Sequence, residues 1–324
     1  MESRGTFGDL VGGVGLQMFE VFDQGLTQYR VGITSLLTAQ TVTGAQENYT
    51  GVTGSGELRK FDGDGEDITS TRRYKTYTTK ALWTNYGQSI EISYNQLEDN
   101  DFQAELDAMH HMGIASNMSQ DKSGMQVFNG GFATTDNVNG YDISLYGDAK
   151  PTFSTLHPST VPGASTQSNA SSTGIAFGDD NLEVARIATT LQKTDDGQPT
   201  SLIGKATVVL PVALEKYGMQ VTMSEYVAEN ANNAINVYKN GAPVDMISSQ
   251  YLDATNGGSN KAWFLLVPGR TRFMHAMRQA PAMRQSINER NLVSTFSVNA
   301  RWAEVIKDWR GSWGSKGDLG AYSS

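Results

Sequence analysis

Four histidines, no cysteine and a scatter of carboxylates are what this 324-residue chain offers for metal, thiolate or nucleophilic chemistry. His110 and His111 are neighbours in a stretch that reads as helix. They point about 100° apart and cannot grip one ion from one face. His157 falls in a Ser/Thr-rich segment and His275 in a basic, extended one. No His-Glu-x-x-His pair is present to hold zinc, and no Ser sits in a Gly-x-Ser-x-Gly elbow. The lack of cysteine excludes disulfides and thiolate metal sites, and is compatible with folding in a reducing cytoplasm.

Three further stretches imitate sites. Asp62-Gly63-Asp64-Gly65-Glu66-Asp67 has the first two ligands of a calcium loop, but Glu66 stands where Asp or Asn is wanted and Asp67 where Gly is required. A solvated turn is the simpler reading. Gly12-Gly13-Val14-Gly15 imitates a phosphate loop, but Met18 takes the third glycine position and no buried strand precedes it. Trp302, Trp309 and Trp313, spaced among Arg301, Lys307, Arg310 and Lys316, have the ingredients of a base-stacking platform. The preferred alternative is a buried strand face with interface anchors, since Trp and Arg dominate interface hot spots. Glu98-Asp99 and Asp195-Asp196 read as a helix start and a turn. No residue is assigned a catalytic, cofactor-binding or metal-ligating role, no cofactor is expected, and the chain does not read as an enzyme.

Composition narrows the class. The chain is long enough for a sizeable core and for two domains. Hydrophobic residues make up 38% and there are 34 glycines, which suits a globular, loop-rich protein. No run approaches the roughly 18 apolar residues of a membrane span, and Met1-Glu2-Ser3-Arg4-Gly5 lacks the basic and apolar regions of a secretory signal. Net charge is −9, unevenly spread: residues 1–150 carry 20 acidic and 10 basic side chains, residues 151–324 carry 14 and 15. An acidic front and a basic back can meet between subunits, or be ordinary solvated surface. An acidic chain is a poor candidate for tight, sequence-independent DNA binding.

The elements that must position these residues come next. Residues 1–45 read as an arm. Gly5, Gly8, Gly12, Gly13 and Gly15 argue against an early helix, with Leu16, Phe19 and Val21-Phe22 as apolar points of a short amphipathic stretch and an extended, Thr-rich run from Gly32 to Thr43. From Gly44 to Lys80, 37 residues hold only four large aliphatic or Phe side chains, Val52, Leu58, Phe61 and Ile68. With the acidic turn at its centre and a Thr/Tyr/Arg-rich second arm, this reads as a long two-stranded ribbon, roughly 46–85. Arms of about 18 residues would reach on the order of 60 Å. Such a ribbon is marginal alone and needs an outside surface to hold it, most simply a neighbouring subunit.

Beyond the ribbon, Tyr86, Ile90, Ile92 and Tyr94 alternate with Ser89, Glu91 and Ser93 as a half-buried strand. A helix is expected over 99–123, capped by Asn100, with Phe102, Leu106, Met109 and Gly113 on one stripe and Gly124 as its stop. Residues 129–178 read as a long surface loop, since 10 of the 21 residues from Ser154 to Gly174 are Ser or Thr. An α/β module follows: a helix over Asp179–Thr190, a buried strand Thr207–Pro211, a helix starting at Ala213, an Asn240-Gly241 hairpin and a strand Ala262–Pro268 buried on both faces. From Leu292 to Ile306 the even positions Phe296, Val298, Ala300, Trp302 and Ile306 are apolar. The fold class is α+β.

This order of parts, with Phe296-Ser297-Val298-Asn299-Ala300-Arg301-Trp302 and Asp308-Trp309-Arg310-Gly311 near its end, resembles the major capsid proteins of tailed bacteriophages, the Hong Kong 97-type fold. The resemblance implies an N-terminal arm (1–45), an extended loop (46–95), a peripheral domain (96–129 and 268–324) with its spine helix at 99–123, and an axial domain (130–267). It implies self-assembly into pentamers and hexamers of an icosahedral shell around double-stranded DNA held by weak, non-specific contact. Scaffolding, portal and decoration proteins are the implied partners, a membrane is not, and the place is the virion, built in the host bacterial cytoplasm. Some members cross-link a loop lysine. Lys60, Lys75 and Lys80 are candidates, but no partner Asn or Glu can be placed and no cross-link is expected. The alternatives are an encapsulin-like protein-storage compartment and, from another class, a phage tail or adhesion protein or a soluble enzyme.

Overall fold

The computed structural model describes residues 7–44, 47–53, 63, 72–200, 205–226, 235–241, 244–288 and 290–320. Along the chain run helix α1 (Phe7–Gln28), strands β1 (Thr38–Thr41), β2 (Asn48–Val52), β3 (Lys75–Lys80) and β4 (Thr84–Ser93), and helices α2 (Tyr94–Glu98) and α3 (Gln103–Asn129). Strands β5 (Asn137–Val138) and β6 (Tyr141–Ser144), helix α4 (Asp179–Thr190), strand β7 (Ala206–Pro211) and helices α5 (Glu215–Met223) and α6 (Val237–Asn240) follow. Strands β8 (Val244–Ser249), β9 (Trp263–Leu266), β10 (Phe273–Asn288), β11 (Val293–Ile306) and β12 (Ser312–Ser315) complete the order. The mixture is α+β.

The described strands form three sheets. The largest has the order β1-β10-β11-β6-β5, with β4 also paired to β11. A second has the order β12-β9-β7-β8, and β2 pairs β3 as a separate ribbon. The expected alternation in β11 is present: Phe296, Val298, Ala300 and Trp302 are buried and the residues between them are half-exposed. Period-two patterning is read directly because one sheet face packs on helices while the other meets solvent. Tyr86 of β4 stacks on Trp302 with centroids 3.8 Å apart. Leu292 falls outside the strand, in the turn before it, at φ 51°. Tyr94 likewise starts α2, because Ser93 and Gln96 form a capping box there.

Two helices depart from expectation. Residues 7–28 form a helix despite their glycines. Val11, Val14, Met18 and Phe22 are buried on one stripe, while Leu16 and Phe19 point outward. The helix survives because its buried stripe packs and Gly25 allows a close approach, whereas Gly12 and Gly13 are exposed with open space beside them. A methyl on Gly25 would strike the His110 carbonyl, and one on Gly113 the Phe22 carbonyl, so α1 and α3 meet backbone to backbone. Tertiary burial outweighs the propensity cost of glycine, about 1 kcal/mol each. The long helix itself runs from Gln103 to Asn129 rather than over 99–123, with Phe102 in the cap position and Asn100 in a left-handed turn before it. Glu98 therefore ends α2 instead of opening the long helix. Gly124 lies inside α3, where it gives room to Ile33.

Residues 129–178 are a surface loop only in part: 133–137, 162–166 and 172–173 are exposed, but other parts are buried. Phe153 sits in the main apolar core, and Asn169 is fully buried. Asn169 makes this possible by replacing a sheet: it accepts from Ser154 N–H, donates to the Thr152 carbonyl and approaches the Ser312 hydroxyl. Polar composition here marks buried backbone that needs side-chain partners. The Asn240-Gly241 hairpin is also absent. Asn236 caps the turn α6 by accepting from Tyr238 N–H, and β8 then pairs β7 in parallel. The Asp179–Thr190 helix and the strands at 206–211 and 263–266 stand as read.

Candidate assembly interface

Two of the four histidines and Arg310 are buried with charged partners. His157 Nδ1 lies 2.6 Å from Asp148 Oδ2, its Nε2 lies 3.1 Å from Asn169 Oδ1, and its ring stacks on Trp309 at 4.2 Å. His275 Nδ1 lies 2.8 Å from Glu304 Oε1 between paired strands, with both residues at most 1% exposed. Arg310 donates to Asp195 Oδ1 at 3.0 Å, to Asp308 Oδ1 at 3.1 Å and to the Lys193 carbonyl at 2.7 Å. Burial pulls the Arg310 pKa down, and Asp308 and Asp195 more than reverse it. His157 and Asp148 are nine residues apart, whereas His275–Glu304 and Arg310–Asp195 join residues 29 and 115 apart. Asp195-Asp196 is the expected turn, but its first carboxylate also anchors that guanidinium. His110 and His111 lie on α3 with rings 5.9 Å apart.

The tryptophan cluster resolves in favour of the buried reading. Trp302, Trp309 and Trp313 are at most 2% exposed, so none offers a face to a nucleic-acid base. Gly12, Gly13 and Gly15 lie within α1 rather than in a phosphate loop. The turn centred on Asp62–Asp67, apart from Gly63, lies outside the described residues, as do Lys60 and the distal ribbon. Among the described residues no three His or carboxylate side chains converge as metal ligands, and no helix is long and apolar enough to cross a membrane.

What the chain presents instead is surface built to be covered. The ribbon base is fixed to its own subunit. Asn48 lies opposite Lys80 and Tyr49 opposite Thr79, and Thr79 Oγ1 donates to the Ile306 carbonyl at 2.9 Å. Lys307 Nζ sits 4.1 Å from the Tyr49 ring centre. Burial, then Arg272, pushes the Lys307 ammonium below its usual range. Lys75 and Lys80 are exposed on β3. Just beyond β2, Thr53 N–H donates to the Tyr74 carbonyl, and the described part of this arm ends there.

The large sheet has a second open feature. β1 pairs only the Met274–Met277 end of β10. From Gln279 to Asn288 the side of β10 away from β11 has no strand partner among the described residues. Pro281 lies on that edge beside register shifts at Gln279 and Ala282, which is where proline is tolerated. Exposed Arg284 and Arg290 mark this region, while Glu98, Asp99, Asp101 and Asp107 are exposed around the start of α3. Leu16, at 74% exposure, and Phe19 project from α1. The expected ribbon is described only at its base, where β2 pairs β3, and the α1 face was not expected, because glycine masked the helical period.

Residues 75–313 match a family model described as phage capsid protein. No curated protein sequence matches the chain. Among solved structures, the capsid of an empty GTA particle is similar over 88% of this chain and 90% of its own, with 11% identity and a TM-score of 0.51. The mature capsid of bacteriophage PhiM1 is similar over 88% and 86%, with 11% identity and a TM-score of 0.51. The capsid of bacteriophage JBD30, decorated with minor capsid protein trimers, is similar over 69% and 92%, with 14% identity and a TM-score of 0.52.

Proposed function

The chain belongs to the phage capsid protein family and is a structural subunit of a capsid shell, and from that premise we propose that it is the major subunit of an icosahedral head holding double-stranded DNA. Its fold is the Hong Kong 97-type capsid fold. Copies assemble as pentamers and hexamers, and the chain performs no catalysis. The observation that carries this reading is the ribbon base: Thr79 and Tyr49 fix β3 and β2 to the subunit, and the sequence between those strands has too few apolar side chains for a core of its own.

The large sheet with α1 and α3 forms the peripheral part, and the four-stranded sheet with α4 and α5 the axial part. In this division β12, within the expected peripheral range, pairs β9 and belongs with the axial sheet. Assembly in the host cytoplasm draws on a scaffold, either separate or an N-terminal propeptide, and on a portal, with decoration proteins as further partners. A net charge of −9 keeps DNA loosely held, since a wall rich in carboxylates offers few phosphate-neutralising cations. Purified particles provide the test. Nuclease-protected DNA inside phage-derived particles supports the reading, and particles filled with protein cargo favour the storage-compartment alternative.

A further inference from the structure

The His157–Asp148 pair is held by partners whose hydrogen-bonding roles are fixed. Both side chains are at most 1% exposed. Asn169 Oδ1 accepts from the Ser154 N–H at 2.8 Å and Asn169 Nδ2 donates to the Thr152 carbonyl at 2.8 Å, so the amide has one orientation. Turned over, it would set Nδ2 against an N–H and Oδ1 against a carbonyl. An acceptor therefore faces His157 Nε2, at 3.1 Å. On the other side Asp148 Oδ1 accepts from the Lys150 N–H, and Asp148 Oδ2 lies 2.6 Å from His157 Nδ1. Both ring nitrogens thus face oxygens. One proton lies on Nε2 and a second in the contact between Nδ1 and Oδ2, which makes the buried pair neutral. Removing either proton would leave lone pairs face to face and a net negative pair in the core.

The pair sits where the ribbon base meets the four-stranded sheet. Tyr146 meets Tyr77 of β3 edge to face at 5.7 Å, and a methyl on Gly147 would strike the Thr78 carbonyl, so the segment ending in Asp148 lies directly on the ribbon base. From the other side the His157 ring stacks on Trp309, and Asn169 reaches the Ser312 hydroxyl of β12. The charged groups beside them are Arg310, Asp195 and Asp308, one cation against two carboxylates. Burial, then Asp308 and Asp195, hold the Tyr146 hydroxyl above its ordinary range, and burial, then Asp148 and Asp195, do the same for Tyr77. A further uncompensated carboxylate at this junction is costly. We propose that His157 and Asp148 form a two-proton latch between the ribbon base and the β12 sheet, closed while both protons are present and opened when one is lost. The latch belongs to the single subunit and stands or falls apart from the shell reading. When closed it holds one proton that the open, solvated pair gives up above the ordinary histidine value of about 6.5. Its contribution is therefore complete below that value, and the opening constant rises about tenfold per pH unit above it.

Two measurements on the full, unassembled chain test the latch. Nitrogen NMR of the histidine rings at about pH 8, above the ordinary histidine value, should show both nitrogens of His157 protonated, the ring being assigned by its contact with Trp309. One bare nitrogen would overturn the proposal. Hydrogen exchange of the amides in β3, residues 75–80, corrected for the intrinsic rate, should report opening that rises about tenfold per pH unit between about pH 7 and about pH 9. A flat wild-type profile there would overturn the link to the ribbon. Asp148→Asn separates charge from packing, because an amide at this position accepts from the Lys150 N–H and donates to Nδ1 of a singly protonated His157. This variant should fold, keep its protection in β3 and lose the pH slope. A retained slope, or a variant that does not fold, would contradict the two-proton account.

Discussion

Arg310 joins Asp195, 115 positions away, to Asp308, its near neighbour, and its guanidinium also lies over the Trp309 ring. Removing the cation would leave Asp195, at 5% side-chain exposure, without its partner. Arg310→Met is therefore expected to cost about 3–5 kcal/mol, the range for breaking one side of a buried pair, as measured by urea unfolding of the unassembled chain. Tyr29 supplies a pH-dependent case. Burial, and then its hydrogen bond to Asp121, holds its hydroxyl above the ordinary tyrosine range. A group raised in this way contributes fully below its unfolded value of about 10, and the contribution is lost as pH rises beyond that. Tyr29→Phe should flatten the alkaline limb of the stability profile; an unchanged limb would mean other groups control it. The Arg310–Asp195 and Tyr29–Asp121 partnerships are not legible in the sequence, because they join residues 115 and 92 positions apart. Asp195-Asp196 reads as a turn and is one, but nothing local announces its cation.

At the scale of elements, legibility follows how local the cause is. The strand β11 and helix α4 declare themselves by period, since one face of each is buried and the pattern is written within a dozen residues. The helix α1 does not, because glycines at 12, 13 and 15 weigh against it locally, while its buried stripe and Gly25 meet a partner helix nearly ninety residues later. Gly113→Ala tests that account. The added methyl strikes the Phe22 carbonyl, so the variant should lose about 1–3 kcal/mol by overpacking, and α1 should become the first segment cut in limited proteolysis. Unchanged stability would mean that α1 can slide without penalty. The stretch 129–178 is only partly surface for the opposite reason: Thr152, Ser154 and Asn169 are buried among backbone partners while 162–166 are exposed, and composition cannot distinguish the two. The ribbon was legible through what it lacks. Deleting Gly56–Thr69 should leave circular dichroism and the unfolding midpoint of the remaining chain nearly unchanged while abolishing closed particles. Normal shells from this variant would remove the ribbon from the assembly mechanism.

For the whole molecule, the order of parts carried more information than any motif, because the fold is defined by which segments leave the subunit. A chain with an anchored ribbon, an open β10 edge and exposed Leu16 and Phe19 on α1 reaches its lowest free energy among copies, where these surfaces are covered. Electron cryo-microscopy of the purified, assembled chain tests this most directly. The account predicts closed shells in which residues 54–71 of each copy lie against a neighbouring copy. A stable monomer or small oligomer with that stretch packed entirely on its own chain would contradict it.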